Sequence, residues 1–572
     1  MVRDVPGHPD SVPESSVDAV VIGAGPNGLV AANMLLDAGW SVAVLEAQPT
    51  PGGAVRSAEV AAPGYVSDLF SSFYPLALGS PIIRGLELER WGLRWRHAPA
   101  VLAHPLPDGR TAVLSRDLDT TAASVDAFSP GDGDRWRAIA QEWDRLSEGL
   151  VGSLFTPFPP VASGARLLRQ LGPAGALRFA RFAVLSIRRF AEEEFEGEGA
   201  PLLFAGNALH SDLPPESPGS AIFGWLLAML GQDVGFPVPE GGAGSLTDAL
   251  VARMRAGGGV LQCDARVDKV LVRGGRAVGV RTADGTEIGA RRAVLGDVPA
   301  PMLFLDLVGE DDLPAGLVAD LRRFQWDTAT VKIDWALSSP VPWKQEGPAG
   351  AGTVHLGGDL DSLSEFAHQL ALRHVPAEPF QLFGQMTTSD PTRSPAGTES
   401  AWGYTHVPVR PRADAGGVLR GDWSDPDDRA RFVDRMEDQV ERYAPGFSDL
   451  VVGRHVQFPG DLEDHDANLV TGAINGGTAQ IYQQLVFRPT PGLGRPETPI
   501  AGLYLASSSA HPGGGVHGAC GANAAKAALR HRTVGRLAVA ASRALTRNPG
   551  RPGLSGGAVA PAPPVAGAPP RS

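Results

Sequence analysis

Cysteine is almost absent from this 572-residue sequence, because Cys263 and Cys520 are its only two and they form no CxxC pair. A disulfide framework, a thiolate metal site and a dithiol redox centre are therefore excluded, and no metal site is expected. The cytosol is the expected compartment for such a chain. Long apolar runs are also missing. No window approaches the roughly 18 uninterrupted apolar residues that cross a bilayer, so no transmembrane helix is predicted.

Lysine is scarce as well, and acids outnumber basic residues by 63 to 50. Lysine occurs only at Lys269, Lys332, Lys344 and Lys526, and the formal net charge is -13. Because the sequence has no long basic run either, this balance argues against nucleic acid as a partner.

One segment departs from the acidic balance. Residues 151–191 contain no acid and place several arginines among apolar side chains. A basic amphipathic segment of this kind predicts peripheral contact with an anionic membrane surface. A helix pair that packs on its own domain, with solvated arginines, explains the pattern equally. The arginines are Arg166, Arg169, Arg178, Arg181, Arg188 and Arg189.

The main motif is a glycine-rich turn between a predicted strand over 17–22 and a predicted helix over 29–38. Gly23 permits the tight turn, Gly25 lets the backbone approach a pyrophosphate, and Gly28 lets the helix pack closely on the strand. Glu46 ends the next predicted strand, where an acid binds ribose hydroxyls. Together these features predict a dinucleotide whose phosphates lie at the helix N-terminus.

Two further glycine motifs identify the dinucleotide. PGGAVRS, residues 51–57, directly follows the acid-bearing strand and resembles the second FAD motif of glutathione-reductase-type flavoproteins. HPGGGVHG, residues 511–518, opens a helix of small residues whose N–H groups suit the anionic edge of a flavin. No second GxGxxG stands between a strand and a helix, so no separate NAD(P)H domain is expected. FAD is the predicted cofactor.

With these motifs the sequence resembles the phytoene desaturase-related FAD-dependent oxidoreductases. It is most similar to the branch of pyridine nucleotide-disulfide oxidoreductase domain-containing protein 2 and the carotenoid ketolases. The resemblance covers residues 17–531 and includes VIGAGPNGLVAA, PGGAVRS, GGAGSL at 241–246 and HPGGGVHGACGANAA. It implies that the adenosine and diphosphate are held by Gly23, Gly25, Gly28, Glu46, Gly53 and Arg56. It also implies that the Val267 backbone meets the adenine, and that the flavin ring lies near Gly514, Val516 and His517.

The predicted fold is α/β, a glutathione-reductase-type FAD-binding Rossmann domain with an inserted α+β substrate domain. The FAD-binding domain is discontinuous and is predicted over 17–75, 237–300 and 495–532, where residues 259–298 form a three-stranded meander. The substrate domain is predicted over 76–236 and 301–494. Segments 1–16 and 540–572, rich in Pro, Gly, Ala and Ser, are predicted to be disordered tails.

Few side chains are candidates for acid–base chemistry. His511 and His517 flank the glycine loop and are candidate catalytic residues that polarise flavin or substrate. Histidines at such positions also serve only to satisfy loop carbonyls. His210 and Asp212 are candidates for lining the substrate cavity, and Asp68 is implied by the resemblance to order the loop below the flavin.

Flavin enzymes need few protein groups, because the cofactor itself accepts the hydride. The sequence therefore predicts a dehydrogenase, desaturase or oxidase that takes hydride from a lipophilic, isoprenoid or carotenoid-like, small molecule. Apolar residues over 151–230 suit a lipophilic cavity and equally an ordinary core. A flavin amine oxidase and a non-catalytic, FAD-retaining binding protein are the alternatives. No oligomeric state is predicted.

Overall fold

The computed structural model describes residues 16–534. Both predicted disordered tails, 1–16 and 540–572, lie outside the described residues, apart from Ser16, which begins the first strand. Within the described part of the chain no helix is long and apolar enough to cross a membrane.

The strands are β1 (Ser16–Ile22), β2 (Val42–Leu45), β3 (Ser57–Ala58), β4 (Ser67–Asp68), β5 (Trp95–Arg96), β6 (Ala100–Pro105), β7 (Thr111–Leu114), β8 (Val238–Pro239), β9 (Val260–Gln262), β10 (Val267–Arg273), β11 (Arg276–Thr282), β12 (Glu287–Gly296), β13 (Ala329–Leu337), β14 (Ala351–Leu356), β15 (His374–Val375), β16 (Gln381–Gln385), β17 (Glu399–Val407), β18 (Ala413–Asp414), β19 (Val451–Gln457) and β20 (Leu503–Leu505).

The helices are α1 (Pro26–Asp37), α2 (Pro75–Gly79), α3 (Pro81–Gly85), α4 (Leu118–Asp126), α5 (Asp132–Leu154), α6 (Val161–Phe182), α7 (Ile187–Glu194), α8 (Gly199–Leu209), α9 (Ser220–Asp233), α10 (Gly244–Ala256), α11 (Ala315–Leu321), α12 (Glu346–Ala349), α13 (Leu360–Ala371), α14 (Met386–Ser389), α15 (Pro426–Tyr443), α16 (Phe447–Leu450), α17 (Pro459–His465) and α18 (Ala519–Val534).

The first large sheet carries the glycine fingerprint. Its strands lie in the order β10-β11-β12-β1-β2-β9, and β20 pairs with the carboxyl half of β12. Strands β9, β2, β1, β12 and β20 are parallel, whereas β10, β11 and β12 form the predicted antiparallel meander. The carboxyl ends of parallel strands meet at one edge of a sheet, and ligands bind at that edge in open α/β folds.

Both faces of this sheet are covered, so β1 is apolar on both sides. Ala19 and Val21 pack in a core with α1, α10 and α18, while Val20 and Ile22 pack against Leu303 on the opposite face. This two-sided burial explains why the strand is a continuous apolar run instead of an alternating one. Each such buried aliphatic side chain contributes about 1.5–3 kcal/mol. α1 begins at Pro26, earlier than predicted, because proline is favoured in the first turn of a helix.

A second large sheet is built from the intervening segments, in the order β19-β13-β17-β16-β14-β6-β7. Its strands are antiparallel except for β14 and β6, which are parallel. On one face Ile333 and Trp335 pack against Phe432 of α15. The other face presents Lys332 and Asp334, whose cross-strand partners are Tyr404 and Trp402. Together the two sheets and their helices confirm the mixed α/β class predicted from the sequence.

Segment 151–191 comprises the end of α5, α6 and the start of α7. No side chain of α6 is fully buried, and Val161 and Leu177 are each 75% exposed. Carboxylates from outside the segment pair with Arg166, Arg181, Arg188 and Arg189. The segment therefore forms a surface helix with an exposed apolar side, and most of its positive charge is neutralised.

Replacing Gly206 of α8 by alanine tests the packing between the helices and the second sheet. A Cβ there would lie 2.0 Å from the buried His355 Nδ1, so we expect overpacking to cost about 1–3 kcal/mol of stability. A Cβ on Gly85, at the end of α3, would meet nothing within 4 Å, so this glycine provides the matched control. Thermal unfolding should show a lowered midpoint for G206A and little change for G85A. Equal midpoints for the two variants would contradict this packing.

Candidate active site

The three fingerprint glycines are required by close backbone contacts. Gly23 has φ of +92°, and a Cβ on it would lie 2.9 Å from the Asp297 carbonyl oxygen. A Cβ on Gly25 would lie 2.7 Å from Asp297 Oδ2, and one on Gly28 would lie 2.3 Å from the Gly23 carbonyl oxygen. Any larger residue at these positions would push the turn away from β12, so the turn keeps its shape only with glycine.

Asp297 follows β12 and lies at the N-terminus of α1. Its Oδ2 accepts the Gly28 N–H at 2.7 Å. Burial, reinforced by Asp466 and Glu46, raises the pKa of this carboxyl to about 7. Sequence analysis did not identify Asp297. Its position could have indicated a role, because it is an acid at the carboxyl end of a parallel strand next to β1. Such strand ends meet at the edge of the sheet where ligands bind.

Glu46 and the second glycine motif lie against the first motif. Glu46 Oε2 accepts the Ala24 N–H at 2.7 Å, which places the carboxylate beside the glycine turn. Gly53 has φ of +53°, and its Cβ would lie 3.2 Å from the Gly25 Cα. Arg56 donates from Nε to the Gly53 carbonyl at 2.9 Å and from Nη2 to the His465 carbonyl at 2.7 Å. The predicted adenosine and diphosphate residues are thus brought together in space.

The far glycine loop packs against residues 474–478. A Cβ on Gly514 would lie 2.9 Å from both the carbonyl and the Oδ1 of Asn475, so glycine is needed for this approach. Val516 packs beside the α1 and α18 core. Val267, the predicted adenine contact, is the buried first residue of β10 and pairs with Thr282. Its role toward adenine remains a prediction.

Two buried charges hold the 474–478 loop from opposite sides. Asp327 accepts the N–H groups of Ile474, Asn475 and Gly477 at 2.8–3.0 Å. Arg488 donates to the carbonyls of Asn475, Gly476, Thr478 and Ser508. Burial raises the pKa of Asp327 and lowers the pKa of Arg488 to about 10. Sequence analysis missed both, because the loop they hold has no recognisable motif.

The two candidate catalytic histidines are buried and bonded to backbone. His511 Nε2 lies 3.0 Å from the Thr156 carbonyl oxygen. His517 Nδ1 accepts the Ala519 N–H at 3.0 Å, and its ring lies 5.0 Å from that of Phe155. Burial lowers the pKa of each imidazole to about 4, so both are neutral at physiological pH. These contacts order the loop; a catalytic role remains a prediction.

Asp68 joins the second glycine motif to the second sheet. It accepts from Arg393 Nη2 at 2.9 Å, from the Ala243 N–H at 2.7 Å and from Ser57 Oγ at 2.8 Å. Arg393 is fully buried and also donates to Asp390 at 3.2 Å. Asp68 therefore fixes the loop that follows the glycine motif, in the manner that the sequence resemblance implies.

His210 and Asp212, the predicted cavity residues, bond within the protein. His210 Nε2 lies 2.9 Å from His355 Nε2, and burial lowers the pKa of both rings. Asp212 Oδ2 accepts from the backbone and the hydroxyl of Thr328.

The inner face of the second sheet carries groups that sequence analysis missed. Lys332 Nζ donates to Asp334 Oδ1 at 2.5 Å, and both side chains are buried. Beside them the Trp402 and Tyr404 rings lie 5.8 Å apart at 14°, and Phe73 lies 6.0 Å from Trp402. The sequence TVKIDWAL did contain a clue to these groups. Lys332 and Asp334 stand two positions apart in an otherwise apolar strand, so they lie on the same face of the sheet.

Several buried polar atoms around these motifs have no partner within residues 16–534. They include Asn27 Oδ1 in the first turn of α1, Ser72 Oγ, Asn475 Nδ2 beside Gly514, and His511 Nδ1 in the third glycine motif. Buried polar atoms are normally satisfied, so unsatisfied ones at the glycine motifs point to a missing polar ligand. The residues present therefore fit FAD, with its diphosphate at the first two motifs and its ring at the third.

Comparisons with known proteins show the family of this chain. A profile of the family described as flavin containing amine oxidoreductase matches residues 27–529. Pyridine nucleotide-disulfide oxidoreductase domain-containing protein 2 of Mus musculus is 30% identical over 556 residues, covering 90% of this chain and 93% of that protein. Phytoene desaturase (lycopene-forming) of Pseudescherichia vulneris is 26% identical over 524 residues, covering 89% and 98%. These similarities confirm the resemblance to phytoene desaturase-related flavoproteins.

Among solved structures, an oxidoreductase from Methanosarcina mazei superposes with a TM-score of 0.57 at 17% identity. The match covers 90% of this chain and 99% of that one, and it shows a shared fold.

The position of Asp297 predicts a pH-dependent affinity for FAD. Its carboxyl is neutral below pH 7 and charged above it, and a charge at the N-terminus of α1 repels the diphosphate. We expect the affinity of the wild type to fall about tenfold as pH rises from 6 to 8. The amide introduced by D297N keeps an acceptor for the Gly28 N–H without the charge, so the affinity of this variant should stay level. Fluorescence titration of the apoprotein with FAD at pH 6 and pH 8 measures the affinity of the wild type and of D297N.

Asp284, on an exposed turn of the meander, provides the control variant D284N, which should follow the wild type. A parallel loss of affinity in wild type and D297N would show that another group titrates.

Proposed function

Since the chain belongs to the flavin containing amine oxidoreductase family and is an FAD-dependent oxidoreductase, we propose that it takes hydride from an apolar, uncharged small molecule. The observation that carries this proposal is the inner face of the second sheet. Trp402 and Tyr404 of β17 stack at 14°, and Phe73, from the loop after β4, packs beside Trp402 at a tilt of 53°; we call these three rings the aromatic wall. Rings of this kind bind hydrocarbon surface well, and pockets for apolar ligands are lined in this way.

The charged groups beside this wall also favour an uncharged substrate over an amine. Asp334 is paired with Lys332, and Asp327 accepts three backbone N–H groups. Asp212 is bonded to Thr328. A cationic amine would have to displace bonds of Asp327 or Asp212 to gain either carboxylate, at the cost of an unsatisfied buried group. Asp334 Oδ2 accepts no hydrogen bond among the described residues, but the adjacent Lys332 ammonium repels a second cation there.

The name of one relative supports the substrate class. The Pseudescherichia vulneris protein is a phytoene desaturase, and phytoene is a hydrocarbon polyene. We propose an isoprenoid or carotenoid-like substrate for this chain on that basis, together with the aromatic wall.

Bound FAD supplies the hydride acceptor, and the protein supplies position and a proton path. A desaturation removes a proton as well as a hydride, so a base is needed near the wall. His406 is the proposed base, because its Nε2 is buried without a partner among the described residues and its ring lies 5.7 Å from Tyr404. For His511 and His517 we propose that they hold the glycine loop.

We propose the glutathione-reductase type for the first sheet, with the FAD-binding domain over 17–75, 237–300 and 495–532. The parallel strands, the meander and the return of β20 to the same sheet support this assignment. The substrate domain would then be 76–236 and 301–494, which contain the second sheet and its helices.

An apolar substrate also suggests contact with a membrane, which dissolves such molecules. α6 exposes Leu168 and Leu177, and the neighbouring loop 481–487 exposes Tyr482 and Phe487. The end of α6 and the 481–487 loop are neighbours. A Cβ on Gly219 would lie within 4 Å of both the Ala183 carbonyl, directly after α6, and the Ile481 side chain, in the loop. Arg169 and Arg178 on α6 have no carboxylate partner within residues 16–534, which suits an anionic bilayer. We propose this surface as a peripheral membrane contact of a cytoplasmic protein.

Anaerobic reduction of the bound flavin tests the substrate class. We expect phytoene in detergent micelles to bleach the yellow flavin absorbance, whereas benzylamine should leave it unchanged. Replacing the wall residue Trp402 by glutamine should slow bleaching about tenfold or more, because it removes buried apolar contact. Y404F keeps the aromatic ring and is the matched control, expected to react at nearly the wild-type rate.

The FAD content of each variant is compared first by absorbance, so that loss of cofactor is not mistaken for loss of substrate binding. Bleaching by benzylamine and not by phytoene would overturn the proposal and favour an amine oxidase.

A further inference from the structure

A cleft on the outer side of α18 contains cationic groups that no part of the FAD site uses. It lies between α18, the loop at 495–497 and the loop that follows α5. From α18 it is lined by Asn523, Lys526 and Arg530, which lie on one side of the helix at spacings of three and four residues. Arg495 and Glu497 line the opposite wall.

Two polar groups of this cleft lack partners among the described residues, whereas Arg495 and Glu497 pair with each other. Asn523 is 2% exposed, yet neither its Oδ1 nor its Nδ2 has a hydrogen-bond partner within the described part of the chain. Lys526 is half-buried and has no hydrogen bond or ion pair within residues 16–534. Burial and the nearby Arg530 lower the pKa of Lys526, as expected for an ammonium group that lacks a counter-ion. A buried amide without hydrogen bonds, next to a cation without a counter-ion, lowers the stability of the fold unless a ligand binds there.

The chemistry of the cleft defines the ligand that would satisfy it. Lys526, Arg530 and Asn523 Nδ2 are donors, which suit the oxygens of an anion. Asn523 Oδ1 is an acceptor and needs a donor from the same ligand, whereas Glu497 already accepts from Arg495 Nε at 3.3 Å. A phosphate monoester has a second pKa of about 6, so near neutral pH it offers both anionic oxygens and, in part, a P–OH group. Sulfate has no proton to donate at that pH.

We propose that this cleft is a binding site for a terminal phosphate group, either inorganic phosphate or the phosphomonoester group of a soluble metabolite or a lipid headgroup. Lys526 and Arg530 bind its anionic oxygens, and Asn523 both donates to the group and accepts from it. The cleft adjoins the third glycine motif, because its lining residue Thr156 meets His511 Nε2 through its carbonyl oxygen at 3.0 Å, but its cationic groups lie on the side of α18 that faces the 495–497 loop.

The surroundings of the cleft suit a lipid headgroup as one source. The loop after α5 that lines the cleft leads directly into α6 and its exposed apolar side. On the opposite wall, a Cβ on Gly494 would lie 2.8 Å from the Cα of Val486, in the exposed 481–487 loop. The walls of the cleft are therefore connected to both parts of the proposed membrane contact. The suggestion that a lipid supplies the phosphate rests on the proposed membrane contact. The phosphate site itself does not depend on it.

Isothermal titration of the FAD-loaded enzyme with sodium phosphate tests the site without substrate or membrane. We expect saturable binding with a Kd of about 1 mM, and binding of sulfate about tenfold weaker because it leaves the Asn523 Oδ1 acceptor unsatisfied. K526Q and R530Q should each weaken phosphate binding about tenfold, since each removes a charge-assisted bond. Lys344, which donates to the Arg442 carbonyl away from the cleft, gives the matched control K344Q.

Each outcome bears on the proposal. Selective loss in K526Q and R530Q, with K344Q unchanged, supports the site. No phosphate binding to the wild type, equal affinity for sulfate, or equal loss in K344Q would overturn it. Failure of phosphate to bind leaves hydride transfer from an apolar substrate untouched, and failure of phytoene to bleach the flavin leaves the phosphate titration untouched.

Flotation with vesicles then distinguishes the two sources of phosphate. Vesicles with phosphatidic acid present a phosphomonoester, and vesicles with phosphatidylglycerol present only a diester. If K526Q loses binding to the first and not the second, the lipid headgroup occupies the site. If K526Q binds both as the wild type does while losing free phosphate, the occupant is a soluble phosphate.

Discussion

The fully buried ion pair of Arg393 with Asp68 connects the cofactor motifs to the second sheet. Asp68 belongs to the short β-pair that follows the second glycine motif, whereas Arg393 lies between β16 and β17. The same carboxylate accepts the Ala243 N–H, and Asp390, the second partner of Arg393, accepts the Gly241 N–H. Loss of one member would leave a buried charge uncompensated, at a cost of about 3–5 kcal/mol. The pair therefore helps to hold the second glycine motif in place against the second sheet.

Buried charges elsewhere in the site act through the backbone. Asp327 and Arg488 do not touch each other but hold opposite sides of the 474–478 loop through its N–H and carbonyl groups. Asp297 holds the turn at α1 in a similar way. A loop bonded on both sides cannot shift without breaking several bonds at once, so the polar atoms that it presents, such as Asn475 Nδ2, stay in place. Such preorganisation suits an enzyme whose cofactor performs the chemistry.

Much of the fold was predictable from the sequence wherever a local rule is strict. Gly23, Gly25 and Gly28 were identifiable because only glycine tolerates the contacts that β12 and the turn impose on them. The meander followed from the glycine turns between short apolar strands. The sequence did not reveal the buried charged groups: Asp297, Arg488 and the Lys332–Asp334 pair. Their roles depend on contacts between segments that are far apart in the chain. Segment 151–191 appeared basic in sequence, but carboxylates from elsewhere in the chain neutralise most of it.

A crystal structure of the enzyme with FAD tests the proposed hydride transfer most directly, because that transfer requires the flavin to lie between the 513–517 loop and the aromatic wall. We expect the diphosphate at Gly23–Gly28, the flavin ring within hydrogen-bond reach of Asn475 Nδ2, and one face of the ring open toward Trp402 and Tyr404. A flavin ring directed away from the second sheet, with Asn475 and the aromatic wall on the far side of the protein from it, would contradict the proposed hydride transfer.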